Sequence, residues 1–108
     1  MGEKGNKATA KGAKFTEELV PRLGVLGEVS MKKMFGGYGI FHDGKMFGLV
    51  TSKAEFFLKV DDTNSKRFEK AKSPRHGKMP YFRVPKKVLQ NDKEFINWVK
   101  SAVEVAHD

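Results

Sequence analysis

Apolar side chains in the first quarter of the chain recur at the spacing of one helix face. Thr16 is predicted to be the N-cap of this helix, and Gly24 and Gly27 are predicted to bracket its end. The apolar positions of that face are Leu19, Val20, Leu23 and Leu26. Residues 1–13 have no such periodicity and are rich in Lys, Gly and Ala, so they are predicted to form a disordered basic arm ahead of a single domain at 14–108.

The middle of the chain changes to short apolar runs separated by turn residues, a pattern that is typical of strands. The runs are 29–34, 36–41, 46–50 and 56–60. Asp43-Gly44 lies between the second and third runs and is a strong hairpin signal, because a type I′ turn needs positive φ at both central residues. The runs therefore predict a meander of three or four antiparallel strands.

The second half of the chain predicts a helix, a short strand and a longer helix. Asp61-Asp62-Thr63 is expected to cap a helix at 62–72. The run 81–84 is predicted to be a strand, and the prolines on both sides of it favour a sheet edge. Asn91, with Glu94 three residues later, resembles a capping box at the start of the last helix. The apolar face of that helix comprises Phe95, Ile96, Trp98, Val99, Ala102, Val103 and Ala106.

These elements predict an α+β fold with two layers, in which an antiparallel sheet of four to five strands packs against helices in the order α-β-β-β-(β)-α-β-α. A chain of 108 residues, 39% of them hydrophobic, is sized for one core. Its apolar runs are far shorter than the about 20 residues of a membrane span, and its first residues lack the apolar segment of a secretory signal. The absence of cysteine excludes disulfides and thiolate sites and fits a reducing compartment, so a cytoplasmic location without a membrane partner is expected.

Positive charge is concentrated in one stretch of the chain. Residues 66–87 hold nine Lys or Arg and a single acid, Glu69, and this stretch carries the whole net charge of +8. A positive field of this kind attracts phosphates or acidic protein surfaces. The alternative interpretation is that these charges only form a solvated face that keeps a small protein soluble. The candidate residues for binding nucleic acid or an acidic partner are Lys66, Arg67, Lys70, Arg75, Lys78, Arg83, Lys86 and Lys87.

The sequence shows no local signature of catalysis or of metal binding. The three histidines, His42, His76 and His107, are predicted to lie apart in a turn, a loop and a terminus, without the spacing of metal ligands. The glycine-rich block 34–41 lacks both G-x-G-x-x-G and G-K-[ST], so it does not predict a phosphate-binding loop. We therefore expect no catalytic residues, no cofactor and no metal.

The glycine-rich block is predicted instead to be a kinked strand. Its aromatic residues, Phe35, Tyr38 and Phe41, are expected to pack against a helix. In the basic stretch, Tyr81 and Phe82 are interleaved with cations, and an exposed ring there could stack on a nucleic-acid base. Because side chains alternate along a strand, at most one of these two rings is expected to be free.

Several segments, taken together and in this order, resemble one known family. The segments are 34–41, 44–50, 58–61, 68–71, 79–81, 84–89 and Trp98. They are similar to the N-terminal domain of the TfoX/Sxy regulators over about residues 15–106. The resemblance implies an α+β domain with a secretion-chaperone-like arrangement of sheet and helices. It also implies a role linked to regulators of DNA-uptake competence, which act with the transcription machinery and not as enzymes.

The full-length regulators of that family have a second, C-terminal domain, whereas this sequence ends shortly after Trp98, so a stand-alone copy of the N-terminal domain is expected. The leading hypothesis is a non-catalytic regulatory or adaptor domain that contacts a protein of the transcription or regulatory machinery. The alternative is direct binding of DNA or RNA through residues 66–87. A homodimer is also conceivable through a short edge strand.

Overall fold

The computed structural model describes residues 3–34 and 36–108, and within them it contains an antiparallel sheet and a set of helices. The strands are β1 (Val29–Met34), β2 (Gly37–His42), β3 (Lys45–Val50), β4 (Phe56–Lys59) and β5 (Tyr81–Arg83). The helices are α1 (Glu3–Arg22), α2 (Ser65–Lys70), α3 (Lys86–Leu89) and α4 (Asp92–His107), with a 3₁₀ turn at Gly24–Leu26. The predicted α+β order is confirmed, and the fourth predicted strand of the meander is β4.

The sheet has the order β1-β2-β3-β4-β5, and every pairing in it is antiparallel. Asp43 and Gly44 join β2 to β3 with φ values of 50° and 80°, so the predicted tight hairpin is confirmed. Because β5 follows α2 in the chain and pairs with β4 alone among the strands, it lies at the edge that its flanking prolines predict.

One face of the sheet, which we call the helix face, carries the main core. Leu19 and Leu23 of α1 and Phe95 and Val99 of α4 are buried against strand side chains that include Leu58. The apolar positions predicted for the first and last helices thus belong to this core or pack on it, with the exception of Val20. Fourteen buried residues belong to it, and the two layers are held together mainly by removal of their apolar surface from water.

Register assigns the remaining strand side chains to the opposite face, which we call the open face. Residues directly opposite each other in an antiparallel pair share a face, so one row across the sheet reads Lys32, Gly39, Leu49, Phe57 and Arg83. The next row reads Met31, Ile40, Gly48, Leu58 and Phe82, and it contains the buried residues of the helix face.

Phe47 is the extra residue of a bulge in β3, since Ile40 pairs with Gly48 while Phe41 pairs with Met46. The bulge lets Phe47 join the helix-side core although Met46 lies opposite Phe41 on the open face.

The sequence predicts that the three rings of the glycine-rich block pack against a helix, and Tyr38 does contact the helix-side core. Phe41 does not, because it shares a face with Gly39, and Phe35 lies outside the described residues.

The first helix begins earlier than the sequence predicts. Residues 3–13 lie in α1, where a disordered arm is expected, because Lys, Ala and Glu favour helix even without an apolar stripe. Thr16 is consequently an interior helix residue and not an N-cap, and its buried hydroxyl donates to the carbonyl of Gly12 at 2.7 Å. The boundary between arm and domain at residue 13 stays a prediction, which limited proteolysis would test.

The cap predicted for α2 is also different. The Asp61 carboxylate accepts hydrogen bonds from the amide and hydroxyl of Thr63 and so closes a turn ahead of the helix. These two bonds lower the pKa of Asp61 below its ordinary value. Asn64 precedes the helix with a buried side chain that bonds the Lys59 carbonyl and the Ser101 hydroxyl and thereby holds α2 against α4. The Asn91 cap of α4 is confirmed, since its side chain accepts from the amide of Glu94 at 3.0 Å.

Candidate functional site

The open face has a small apolar cluster of its own. Leu49, Phe57 and Tyr81 are buried there, and Met46 packs on them. The buried helix residues Leu19, Leu23, Phe68, Val88, Phe95, Val99 and Ala102 belong to the other cluster, on the helix face. The apolar cluster of the open face is therefore built from strand residues, and α1 comes close to this face at Gly12, beside the backbone of Thr51 and Ser52.

A cavity of about 290 Å³ lies on this face, which we call the methionine cavity. Its lining comprises Met34, Tyr38, Met46, Leu49, Val50, Thr51, Ser52, His76 and Met79. Gly39 lets two of these methionines lie directly on the sheet, since a Cβ there would be 3.0 Å from the Met46 sulfur and 3.1 Å from the Met34 methyl. Thioether side chains are flexible and polarizable, so they can adapt to the shape of an apolar ligand.

The segment 73–80 forms a wall of this cavity. The ring of His76 stands edge-on to Phe57, with centroids 4.9 Å apart and planes at 82°. The guanidinium of Arg75 donates to the carbonyls of Met79 and Lys78 at 2.9 and 2.8 Å, which closes the loop on itself. The loop also pairs with β5, because the Tyr81 carbonyl accepts from the amide of His76 at 2.8 Å.

Three lysines, which we call the lysine rim, neighbour lining residues of the methionine cavity in the sheet register or in the sequence. Lys32 shares its sheet row with Gly39 and Leu49, and Lys53 and Lys78 are exposed neighbours in sequence of the lining residues Ser52 and Met79. On the same face, Arg83 is paired with Glu55 at 3.3 Å. The apolar floor and the lysine rim together suit an amphipathic ligand with negative charge.

Tyr81 supports the floor of the open face from within the sheet. Its side chain is buried, and its hydroxyl lies 3.4 Å from the carbonyl oxygen of Met46, to which it donates. Burial raises the pKa of this phenol, because the charged phenolate would lose its solvation. Tyr81 is thus a structural part of the site and is not available for stacking on a nucleic-acid base.

The structure divides the predicted basic residues among several places. Lys66, Arg67 and Lys70 of α2 line a groove of about 410 Å³ together with Asp62. Within this set, the Arg67 guanidinium reaches the backbone carbonyl of Asn97 at 3.5 Å. This groove contains an acid as well as bases, which weakens its field.

Arg83 and Lys86 line a second groove of about 310 Å³, which also includes Lys72. Arg75 and Lys78 belong to the wall of the methionine cavity, as described above, and Lys87 is exposed on α3. The eight candidate residues are therefore distributed over two grooves, a loop and the exposed side of α3. The sequence alone could not show this division, because the eight residues lie on four different elements: α2, the loop that follows it, β5 and α3.

The aromatic residues of the basic stretch are both used in packing. Phe82 is half-buried and lies 6.0 Å from Phe68 between ring centroids, on the helix face. Tyr81 is buried on the open face. The expectation that at most one of the two rings is free agrees with this arrangement, since Tyr81 is buried and Phe82 is partly exposed.

Two histidines that the sequence predicts to lie apart are in contact. The Nδ1 of His42, at the end of β2, is 2.9 Å from the Nε2 of His107, in the last turn of α4. The carboxylate of Asp43 is 3.9 Å from the same His42 nitrogen. The expectation of separated histidines is therefore wrong, because the sheet order brings the β2–β3 turn beneath the end of α4. His76 lies elsewhere, against Phe57.

None of the helices within residues 3–34 and 36–108 combines the length and the apolar composition that a membrane span requires. A comparison with curated proteins gives no match. Residues 22–106, which include the whole sheet, the methionine cavity and the basic stretch, match the family described as TfoX N-terminal domain. The match covers far more than half of the chain, and its extent agrees with the resemblance carried by the glycine-rich and basic segments. The chain therefore belongs to the TfoX N-terminal domain family.

Proposed function

We propose that this protein is a non-catalytic regulatory adaptor domain that binds an acidic, amphipathic segment of another protein on its open face. Family membership supports a competence-regulator-like role, in which the partner belongs to the transcription or regulatory machinery. The observation that carries the proposal is the methionine cavity, an apolar depression next to the lysine rim on a sheet face whose buried apolar cluster contains no helix residue.

The chemistry of the cavity supports protein binding over catalysis. Its lining is dominated by Met, Leu and Val side chains, and the ionisable residues in it are Tyr38 and His76. General acid–base or nucleophilic catalysis needs several ionisable groups that converge on one reacting atom. An apolar floor with adaptable methionines is instead typical of sites that accept the apolar side of a peptide.

The rim supports an acidic partner. Lys32, Lys53 and Lys78 bring positive charge to the edges of the cavity, and the chain as a whole carries +8. Charged groups around an apolar centre accelerate association with an oppositely charged partner and disfavour partners of the same sign. We therefore expect binding that weakens moderately, but persists, when salt rises, because the apolar contact is not screened.

A photo-reactive amino acid at position 79 tests this proposal directly. Met79 is 39% exposed and lies in a loop, so its replacement leaves the core intact. The same photo-reactive residue at Val25, an apolar position that is 69% exposed and does not line the cavity, is the matched control. Irradiation in cells should join position 79, and not position 25, to an acidic protein that mass spectrometry then identifies.

The purified partner would then be tested against two variants that each introduce a negative charge. Met79→Glu should weaken binding at least about tenfold, since it places a carboxylate at the apolar floor next to an acidic ligand, whereas Val25→Glu should leave the affinity unchanged. Equal effects of the two variants, cross-linking only to a second copy of the chain, or cross-linking from both positions would contradict the proposal.

Direct nucleic-acid binding is the second candidate, because residues 66–87 carry +8 and provide two grooves with several cations each. Fluorescence polarisation with random DNA and RNA over a salt series would measure it. Phosphate contacts predict that the logarithm of the binding constant falls with the logarithm of salt concentration, with a slope of about −0.9 for each phosphate neutralised.

Two double variants locate the contact. Lys66→Glu with Lys70→Glu tests the α2 groove, and Lys86→Glu with Lys87→Glu tests α3. If the unmodified protein binds with a steep salt dependence and either double variant loses that binding, the result favours nucleic-acid binding. If the unmodified protein causes no polarisation change even at low salt, nucleic-acid binding is excluded.

A further inference from the structure

We infer that His42, Asp43 and His107 form a binding site for a divalent transition-metal ion such as Zn²⁺. The two imidazoles and the carboxylate present one ligand atom each, and these three atoms all lie within 4.8 Å of one another. The metal site is separate from the methionine cavity, since none of its three residues lines that cavity. It is independent of the proposed protein contact.

The hydrogen bonds of His42 leave one of its nitrogens with a free electron pair. Its Nε2 lies 2.8 Å from the backbone oxygen of Leu26, and a carbonyl oxygen can only accept, so Nε2 carries the hydrogen. In the neutral ring, Nδ1 is therefore the unprotonated nitrogen that faces His107. A metal-binding histidine commonly donates its second N–H to a backbone carbonyl, which fixes its tautomer and orientation. His42 already has this arrangement.

The distances between the ligand atoms suit one ion. Metal–nitrogen bonds of about 2.0–2.1 Å place two ligand nitrogens about 2.9 to 3.4 Å apart, between octahedral and tetrahedral angles. The His42 and His107 nitrogens are 2.9 Å apart, and the Asp43 oxygen is 3.9 Å from the former, so a small rotation of the exposed Asp43 carboxylate completes the set. Without an ion, His107 donates its Nε2 hydrogen to His42, so binding requires the other tautomer of His107 and a rotation of the rings that turns both lone pairs toward the ion.

The surroundings favour a cation of intermediate softness. His107 lies in the last turn of the 16-residue helix α4, where the helix dipole presents partial negative charge. Imidazole ligands suit Zn²⁺, Ni²⁺ and Cu²⁺, whereas Mg²⁺ and Ca²⁺ prefer sets made of oxygen alone. Three protein ligands at an exposed position leave at least one coordination place for water. An ion here would tie together two parts of the fold, the β2–β3 hairpin and the end of α4, and the His42 bond to Leu26 would connect them to the turn after α1.

Isothermal titration of the untagged protein with ZnCl₂, and separately with MgCl₂, tests the site. One Zn²⁺ per chain is expected, with no heat from Mg²⁺. The midpoint of thermal unfolding should rise by about 5–10 °C when Zn²⁺ is about tenfold above its dissociation constant. No Zn²⁺ binding up to millimolar concentration, or binding of Mg²⁺ with equal affinity, would overturn the inference.

Two single variants test the assigned ligands, and a variant of the third histidine is the control. His107→Ala and Asp43→Asn should each weaken Zn²⁺ binding at least about tenfold. Loss of a residue that only supports a ligand already costs about tenfold or more in metal affinity, and loss of the ligand itself should cost at least as much. Asn also tolerates the positive φ of 50° at position 43, so the turn is preserved in that variant. His76→Ala should leave the affinity unchanged. Equal losses in the His76 and His107 variants would show that the metal binds elsewhere.

Discussion

The two faces of the sheet are built from the same five strands but are filled in different ways. The helix face holds Phe47, Phe56 and Phe95 with no measurable exposure or nearly none, each enclosed by strands below and helices above. The open face holds three buried residues, and flexible methionines cover them beside a cavity of about 290 Å³. One face is a closed interior, and the other is a partly filled surface.

This difference separates the part of the molecule that determines the fold from the part that is free to bind. Close packing makes the helix face sensitive to the loss of a single methylene group, so its residues are constrained by stability. The open face has room next to its side chains and residues with several rotamers, so it can change shape at little cost. A binding partner is therefore better accommodated on the open face than on the surface of the helices.

Two leucines on neighbouring strands provide the sharpest test of this comparison. Leu58 is fully buried on the helix face, and Leu49 is 9% exposed on the open face next to the methionine cavity. Leu58→Ala should lower the free energy of unfolding by about 3–5 kcal/mol, and Leu49→Ala by about 2 kcal/mol, because the methionines can move into the space left by Leu49. Urea unfolding followed by circular dichroism measures both. Equal losses would mean that the open face is as closely packed as the other.

Trp98 tests the border of the helix-side core. The sequence places it on the apolar face of the last helix, and the structure shows it half-buried with its ring 4.7 Å from that of Phe68. Trp98→Ala should therefore cost about 2–3 kcal/mol, less than a fully enclosed aromatic ring. Trp98→Phe is the control that retains the ring contact and should cost about 1 kcal/mol. A loss of more than about 5 kcal/mol for Trp98→Ala would place the ring in the centre of the core.

The sequence was most informative where one local rule decided the structure. The Asp43-Gly44 turn, the Asn91 cap and the prolines around β5 each depend on a few adjacent residues, and all three features are present as predicted. It was least informative where two rules competed. Thr16 satisfies the pattern of an N-cap, but the preceding Lys and Ala residues continue the helix through it. Asp61 is near a helix start, but its bonds to Thr63 close a separate turn.

The candidate site could be predicted only in part, because it depends on contacts between distant segments. The concentration of cations in residues 66–87 is a property of the sequence, but its division among two grooves and a loop is a property of the fold. The methionine cavity joins residues from 34 to 79, and the bulge at Phe47 that turns Met46 to the open face has no sequence signal of its own. The contact between His42 and His107 spans 65 residues and likewise depends on strand order.

Lys72 lies where the chain leaves α2 and enters the loop that walls the open face. It has a φ of 56°, and the Ser73 amide bonds back to the Phe68 carbonyl at 3.0 Å, which is the pattern of a helix end closed by a left-handed residue. Glycine adopts this conformation without the strain of a side chain, so Lys72→Gly should raise the free energy of unfolding by about 1 kcal/mol. Lys70→Gly, at the last residue of α2, should lower it by about 0.5 kcal/mol. Destabilisation by both variants would show that Lys72 makes a contact that outweighs its backbone strain.

Tyr81 gives the smallest effect and the only one that depends on pH. Burial raises the pKa of its phenol above the ordinary value of 10.0, so the unfolded chain loses this proton at a lower pH than the folded protein does. Unfolding therefore releases a proton from pH 10 upward to the folded pKa, and over that range the contribution of Tyr81 lowers stability as pH rises. Tyr81→Phe should remove this part of the alkaline loss, because phenylalanine does not titrate.

The two tyrosines of the chain make the pKa of Tyr81 directly measurable. In Tyr38→Phe protein, Tyr81 is the remaining phenol, and its ultraviolet tyrosinate absorbance should rise with a midpoint above pH 10.0 in the folded state and return to that value in urea. A folded-state midpoint at or below 10.0 would mean that water reaches the phenol under Met46. The open face would then be more open than its buried floor of Leu49, Phe57 and Tyr81 indicates.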